Sequence, residues 1–437
     1  MTDATVPAIL GGDPIVDSAH EPPFPSSTEL EIGLLAEITN SKQWFGFGDL
    51  PPYWRTILEQ LVAETTGYRY GIGVANGTLG IANGLSSQLL AKMRTEPGWD
   101  RGRDHVLVAD LTHASAHQGV LVGLLPQLQR QLTLVPVDAK PDATMNDDVV
   151  ASYLAQHADR VLAVVPATMY GAFGNISRLC ELAESHNILI HHDNALGGAA
   201  RYEGRLALTA SISGQGQGKA VPAGEAGVSV TSDPEIAAIL RADTDTGLPP
   251  GRLDNVPFVE MSRLASGNLR LGEHPAGLMA IQWLRAFHVR LQARENRRQI
   301  QELINDRSVF DVPLMWNAPM EEAYPPFFMF QLMATEALEE ELGLTPQDVR
   351  AVWCAEGMFT EQGFTPTHLD PAWKHHAAGH DLSYPGSKHV YDRSLLVHTK
   401  FQRDPRFPEW IRRMLESIVE HKDRLRGIGD RVPVTAL

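Results

Sequence analysis

Cysteine is nearly absent from this chain of 437 residues: Cys180 and Cys354 are the only two. They are too few for a disulfide framework and too isolated for a multi-cysteine zinc site, which points to a reducing compartment. Positive charge is also in deficit. Lys and Arg total 37 against 53 Asp and Glu, a formal net charge of −16. That balance repels phosphate backbones and anionic lipid, so generic nucleic-acid or membrane-surface binding has no electrostatic drive. No apolar run approaches the length that crosses a bilayer, and MTDATVPAIL lacks the basic start and apolar centre of an export signal. The expected location is therefore the cytoplasm. What is present, 43% hydrophobic and 21% charged residues, is ordinary globular composition, long enough for one large domain and a smaller one.

From Asp104 to Arg241, short β-branched runs alternate with segments of helical period. The pattern predicts strands at 105–109, 132–137, 161–166, 188–192 and 227–231. Helices are predicted at 116–127, 147–157, 177–187 and 233–241. Such alternation makes an α/β fold with a mainly parallel sheet covered on both faces, whose ligands bind beyond the carboxyl ends of the strands. After Arg241 a loop leads into a long helix near 277–303, followed by helices near 346–356 and 409–424. The predicted division is an arm over 1–30, a large domain over 31–255 and a small α+β domain with its connecting helix over 256–437. The Pro-rich Glu21–Ser27 segment reads as extended arm.

Three places carry candidate chemistry. Val74-Ala-Asn-Gly-Thr78 leads into a helix, and a Gly with a hydroxyl there offers backbone N–H groups to a phosphate; alone it is equally an ordinary cap. Asp193 follows the run Ile188–His192, where a carboxylate can pair with a heterocyclic cation or simply close a turn. His191 and His192 point to opposite faces of that strand, so one is expected to pack under a helix. Lys219 stands among glycines directly before an apolar strand, and a lysine in a confined site can lose its proton and form a Schiff base with an aldehyde. Phosphate anchor, strand-end Asp and Gly-flanked Lys together are the set that pyridoxal 5′-phosphate needs.

These residues sit in motifs that resemble the DegT/DnrJ/StrS family of fold type I pyridoxal-phosphate aminotransferases. Gly11-Gly-Asp-Pro14 resembles the early Gly-Gly-x-Pro, and Asn76-Gly-Thr78 the phosphate turn. Asp193 is similar to the Asp of Glu-Asp-x-Ala, Lys219 with Gly224-Glu-Ala-Gly227 to Lys-x4-Gly-Glu-Gly-Gly, and Gly267-Asn-Leu-Arg270 to Gly-x-Asn-x-Arg. The resemblance implies catalytic roles for Lys219, Asp193 and His113, with His113 stacked on the cofactor. It implies cofactor contacts from Gly77, Thr78 and Asn268, the last reaching a neighbouring chain, and a homodimer with shared sites. Ser213 or a backbone group takes the place of the phosphate serine. Arg270, Tyr170, Phe359 and His368, with Gln362 nearby, fall where the family meets substrate. The implied partners are an amino donor, glutamate or glutamine, and a keto sugar or cyclitol. No metal is implied.

Departures leave a second chemistry open. Thr168 stands where the family has a histidine in Val-His-x-Tyr-Gly, and Leu196 where it has Gln or His. A histidine at 113 can serve as an acid or base near a substrate α-carbon as well as a stacking ring. Elimination, decarboxylation or aldol-type cleavage of an amino acid is therefore the alternative to transamination, and a non-catalytic scaffold is a third reading. Lys219 argues against the dehydratase branch of the family, where histidine replaces it. His113 and His117 lack a third ligand for zinc, and His375, His376 and His380 are expected at a surface or interface.

Overall fold

A computed structural model describes residues 6–44, 53–216, 218–247, 267–305, 309–311, 328–377 and 379–431. The alternating region folds into one sheet of β1 (Tyr70–Val74), β2 (His105–Ala109), β3 (Thr133–Val137), β4 (Val161–Val165), β5 (Leu189–Asp193), β6 (Thr209–Ser213) and β7 (Gly227–Thr231). Their spatial order is β1-β7-β6-β5-β4-β2-β3. All pairings among β2 to β6 are parallel, and only β7 runs antiparallel to its neighbours. The covering and connecting helices are α1 (Glu29–Ser41), α2 (Tyr53–Thr66), α3 (Gly77–Thr95), α4 (Ala114–Leu128), α5 (Asp147–His157), α6 (Ile176–Ser185), α7 (Pro234–Thr244) and α8 (Glu273–Asn305). Strands β2, β4, β5, β6 and β7 are buried at every position, as a sheet covered on both faces requires.

The five predicted strands are present, with ends displaced by no more than one residue. Strands β1 and β6 were not predicted. Tyr70-Gly-Ile-Gly-Val74 is interrupted by glycine, and Thr209-Ala-Ser-Ile-Ser213 is made of small and polar residues. Close packing explains β6: a Cβ added to Gly80 of α3 would lie 2.9 Å from the Ser211 Cβ, so the helix rests on the strand through small side chains. Buried positions there need to be small, and apolarity is not the signal.

The second sheet holds β8 (Phe310–Asp311), β9 (Phe330–Ala334), β10 (Thr360–Glu361) and β11 (Ser394–Val397), all antiparallel, in order β10-β11-β9-β8. Helices α9 (Pro346–Ala355), α10 (Lys374–Ala377), α11 (Pro385–Arg393) and α12 (Phe407–Leu425) complete it. Its core is built on Phe330, Trp353, Phe401 and Phe407, with Ile15 and Val16 of the N-terminal arm inserted. The arm is fixed there by Glu356, whose carboxylate accepts the Ala8 and Ile15 N–H groups at 2.9 and 3.0 Å. Helix α8 joins the two parts: Trp283 packs with the large sheet's core, and Ile300 and Ile304 pack with the small one. The predicted boundary at 255/256 lies outside the described residues. Among the described residues no helix is long and apolar enough to cross a membrane.

Candidate active site

The turn entering α3 builds an anion cradle. Asn76 caps the helix, its Oδ1 accepting the Leu79 N–H at 3.0 Å and its carbonyl that of Gly80 at 3.1 Å. Of the helix's first N–H groups, those of Gly77 and Thr78 are left at the positive end of the dipole. Ser213, the last residue of β6, closes the other side. A Cβ on Gly77 would lie 2.7 Å from the Ser213 Cβ and 3.1 Å from its Oγ, so only glycine permits the approach. Gly227, paired with Ser213 across β6 and β7, is under the same constraint, since its added Cβ would lie 2.7 Å from the Asn76 carbonyl carbon.

Asp193 ends β5 and is 6% exposed; its Oδ1 accepts the Ala195 N–H at 3.1 Å. Burial pushes its carboxyl upward, and the charge of Lys219 pulls it back. Lys219 Nζ lies 5.4 Å from the Phe328 ring centroid. Burial brings its ammonium down to about 8, against the opposing charges of Asp193 and Glu225. Its backbone is clamped on both sides from the small domain: Thr399 Oγ1 donates to the Gly218 carbonyl at 3.1 Å, and Arg403 Nη2 to the Ala220 carbonyl at 2.9 Å. His113 caps α4, with Nδ1 accepting the Ser115 N–H at 3.1 Å and lying 2.7 Å from Ser115 Oγ. His113 is exposed at the surface of this chain, and desolvation of its imidazole and then the Lys219 charge lower its pKa; with Nδ1 accepting from Ser115, the proton of the neutral ring sits on Nε2. The electrostatic reach of Lys219 thus includes both Asp193 and His113.

Thr168, one of the departures, meets the strand histidine His192. Thr168 Oγ1 lies 2.8 Å from His192 Nε2 and donates to Asn194 Oδ1 at 2.7 Å. With that hydroxyl proton committed to Asn194, Thr168 accepts from His192, whose imidazole burial holds neutral, with a pKa of about 3. His191 points the other way, under α3, between Thr209 Oγ1 at 2.7 Å and Ser211 Oγ at 3.1 Å. Leu196 is buried in the large-domain core and offers no hydrogen bond.

The residues expected at the substrate separate into different environments. Tyr170 is buried, and its hydroxyl accepts the Phe364 N–H at 2.9 Å, so its polar end is spent on holding a loop. Phe359 packs against the small-domain core, and Gln362 is half-buried. Arg270 forms an ion pair with Asp245. Asn268 is exposed, on a segment that pairs with the end of β1 through Val74 and Arg270. His368 is gripped by Asp110. His375, His376 and His380 line a cavity of about 1260 Å³ with His105, His157 and Tyr153, around the amino ends of β2 and β3.

Sequence reasoning missed a strap over 362–377 and 379–387 that closes on the carboxyl ends of β2 and β3. Asp110, directly beyond β2, accepts the His368 N–H at 2.9 Å, and its carbonyl accepts the Thr367 N–H at 2.7 Å. Asp138, directly beyond β3, accepts the Gly386 and Ser387 N–H groups at 3.0 and 2.7 Å. Both carboxylates occupy the strand-end position that singled out Asp193, and the same rule applied to every strand would have found them.

A mainly parallel sheet with a helix-start anion cradle, a strand-end Asp and a lysine between the last two strands define a fold type I transferase of the pyridoxal-phosphate class. The chain belongs to the DegT/DnrJ/EryC1/StrS aminotransferase family, whose sequence profile matches residues 25–404. It is 27% identical over 332 residues to GDP-perosamine synthase of Caulobacter vibrioides, covering 72% of this chain and 78% of that one. It is 26% identical over 283 residues to L-glutamine:2-deoxy-scyllo-inosose aminotransferase of Micromonospora echinospora, covering 63% of each. An aminotransferase structure from Psychrobacter cryohalolentis superposes with a TM-score of 0.76 at 18% identity, over 92% of this chain and all of that one.

Proposed function

We propose that this chain is a pyridoxal-5′-phosphate-dependent aminotransferase that carries an amino group from glutamate or glutamine to a keto group on a sugar, cyclitol or related polar metabolite. It works as a cytoplasmic homodimer in secondary-metabolite or polysaccharide biosynthesis. The observation that carries the reading is a half-buried Lys219, its backbone clamped at Gly218 and Ala220, together with the buried strand-end Asp193 and a cradle that only glycine can form. The acceptor class follows the named activities of the two relatives.

The residues present fit the cofactor. The N–H groups of Gly77 and Thr78 with Ser213 Oγ would hold its phosphate, Asp193 would keep its ring nitrogen protonated, and His113 would lie over its ring. When bound, pyridoxal phosphate supplies an aldehyde for Lys219 and a ring that withdraws electrons from the donor α-carbon. Lys219 would take up and give back the proton at that carbon, a task suited to an amine brought down to about 8. His113 is already spoken for: with Nδ1 facing Ser115, it presents an N–H and no free lone pair. That arrangement orients a stacking ring and favours transamination over chemistry that needs His113 as base. Asn268, exposed at the sheet edge, would complete the partner's phosphate site, with Arg270 placed beside it by Asp245.

Borohydride reduction of the loaded protein tests the lysine assignment. Peptide mapping is expected to find the phosphopyridoxyl group on Lys219, and none on Lys219→Ala. Fixation at another lysine would overturn the assignment.

A further inference from the structure

Asp110 is fully buried and grips one residue twice: it accepts the His368 backbone N–H at 2.9 Å and faces His368 Nδ1 at 2.7 Å. A carboxylate accepts only, so Nδ1 carries the hydrogen and Nε2 is the atom left over. The imidazole is locked from its face as well, stacked on Tyr384 at 4.6 Å and 10°. Thr367 pins the preceding turn, donating through its N–H and hydroxyl to the Asp110 carbonyl at 2.7 and 2.9 Å.

So much orientation is more than packing requires. His368 keeps 15% of its side-chain surface accessible, and Nε2 has no hydrogen-bond partner among the described residues. The hydroxyl of Tyr384, on the stacked ring, is buried and also without a partner among them. A buried unpaired hydroxyl is costly unless something completes it.

Position supplies the missing element. Asp110 precedes His113 by three residues, at most about 10 Å of chain. The strap that delivers His368 also places Phe364 against the His113 ring, at 5.3 Å. His368 and His113 are thus both tied to the short turn between β2 and α4, one held by Asp110 and the other closing that turn as the cap of α4.

We infer that His368, held by Asp110 and backed by Tyr384, is the specificity residue for the amino acceptor, its Nε2 accepting a hydrogen bond from a ring hydroxyl of a keto sugar or keto cyclitol. The inference rests on the acceptor reading proposed above. Asp110 is the positioning residue: it fixes the tautomer, and an amide in its place can present N–H to Nδ1 and reverse the ring's polarity.

The test is steady-state kinetics of the loaded protein with L-glutamate and two acceptor probes, 2-deoxy-scyllo-inosose and a GDP-linked keto sugar. His368→Asn retains a donor at the Nδ1 position and lacks Nε2. On the probe that the wild type aminates, the variant is expected to raise the acceptor KM at least about tenfold with far smaller changes in kcat and in the glutamate KM. Asp110→Asn should shift the same parameter in the same direction. An acceptor KM unchanged in His368→Asn overturns this assignment and leaves the aminotransferase reading standing. Amination of neither probe by a wild type that still converts glutamate to its keto acid overturns the acceptor reading and this inference with it.

Discussion

At the scale of single residues, the site is governed by what burial does to charge. Lys219 is half-buried, and that burial brings its ammonium down to about 8. The rate at which the unloaded protein captures pyridoxal phosphate should rise with pH through about 8, read from the growth of visible absorbance. A rise centred near 10 contradicts the burial argument. Asp193 meets the opposite pressure, its carboxyl raised by burial, and the ring cation of the proposed cofactor would restore its charge. Asp193→Asn is expected to retain cofactor while slowing the glutamate half-reaction at least about a hundredfold, the scale of a lost charge-assisted contact in a dry site. Ser213→Ala removes one hydroxyl from the proposed phosphate cradle and should weaken cofactor binding about tenfold in an equilibrium titration. Gly77→Ala should weaken it further, because its Cβ collides with Ser213.

At the scale of elements, five of seven large-sheet strands were legible because β-branched runs announce them. Strands β1 and β6 were not, since glycines interrupt the first and small or polar residues make up most of the second. The same split holds in the site. Gly77, Asp193 and Lys219 carry local motifs that can be read along the chain. Thr399 and Arg403, which clamp the Lys219 backbone, lie some 180 positions away and carry no local signal. Thr168 reads along the chain as a lost histidine, and only the fold shows that it lies 2.8 Å from His192.

The strap adds a pH prediction at this scale. His117 stacks on Trp373 at 4.8 Å, and His105 meets His380 edge-on at 5.3 Å. Burial holds His105 and His117 down to about 4, and lowers His376 and His380 as well. Repulsion from Arg160 and His157 adds to the effect at His105 and His380, and His380 adds to it at His105, while Asp104 opposes it at His105 and Asp370 at His117. Below about pH 6.5 the unfolded chain takes up protons that the folded one refuses, so stability falls as pH drops from 6.5 toward 4. Urea midpoints should decline across that window, and less steeply in His105→Gln. A midpoint flat between pH 7 and 5 contradicts the assignment of neutral imidazoles.

At the scale of the molecule, the two sheets meet at Lys219, whose loop springs from the large domain and is held by the small one. Neither part alone is expected to present the lysine correctly. The proposed homodimer extends the sharing to a second chain. Inactive Lys219→Ala and a weakened Asn268→Ala variant, mixed and reassembled, should recover about a quarter of wild-type activity, because hybrid dimers regain one intact site. Absence of recovery places Asn268 in its own chain's site. The acidic surface fits this economy: the one anion proposed to bind tightly, the cofactor phosphate, is held by a helix start and a serine, with no basic patch.

The central claim, that this chain transfers an amino group through Lys219, is tested most directly by a single turnover without acceptor. Protein loaded with pyridoxal phosphate is mixed with L-glutamate or L-glutamine and the products are counted. The account expects one equivalent of the corresponding 2-keto acid per Lys219 site, and none from Lys219→Ala. Carbon dioxide or free ammonia in place of the keto acid, or no product with either donor, contradicts it.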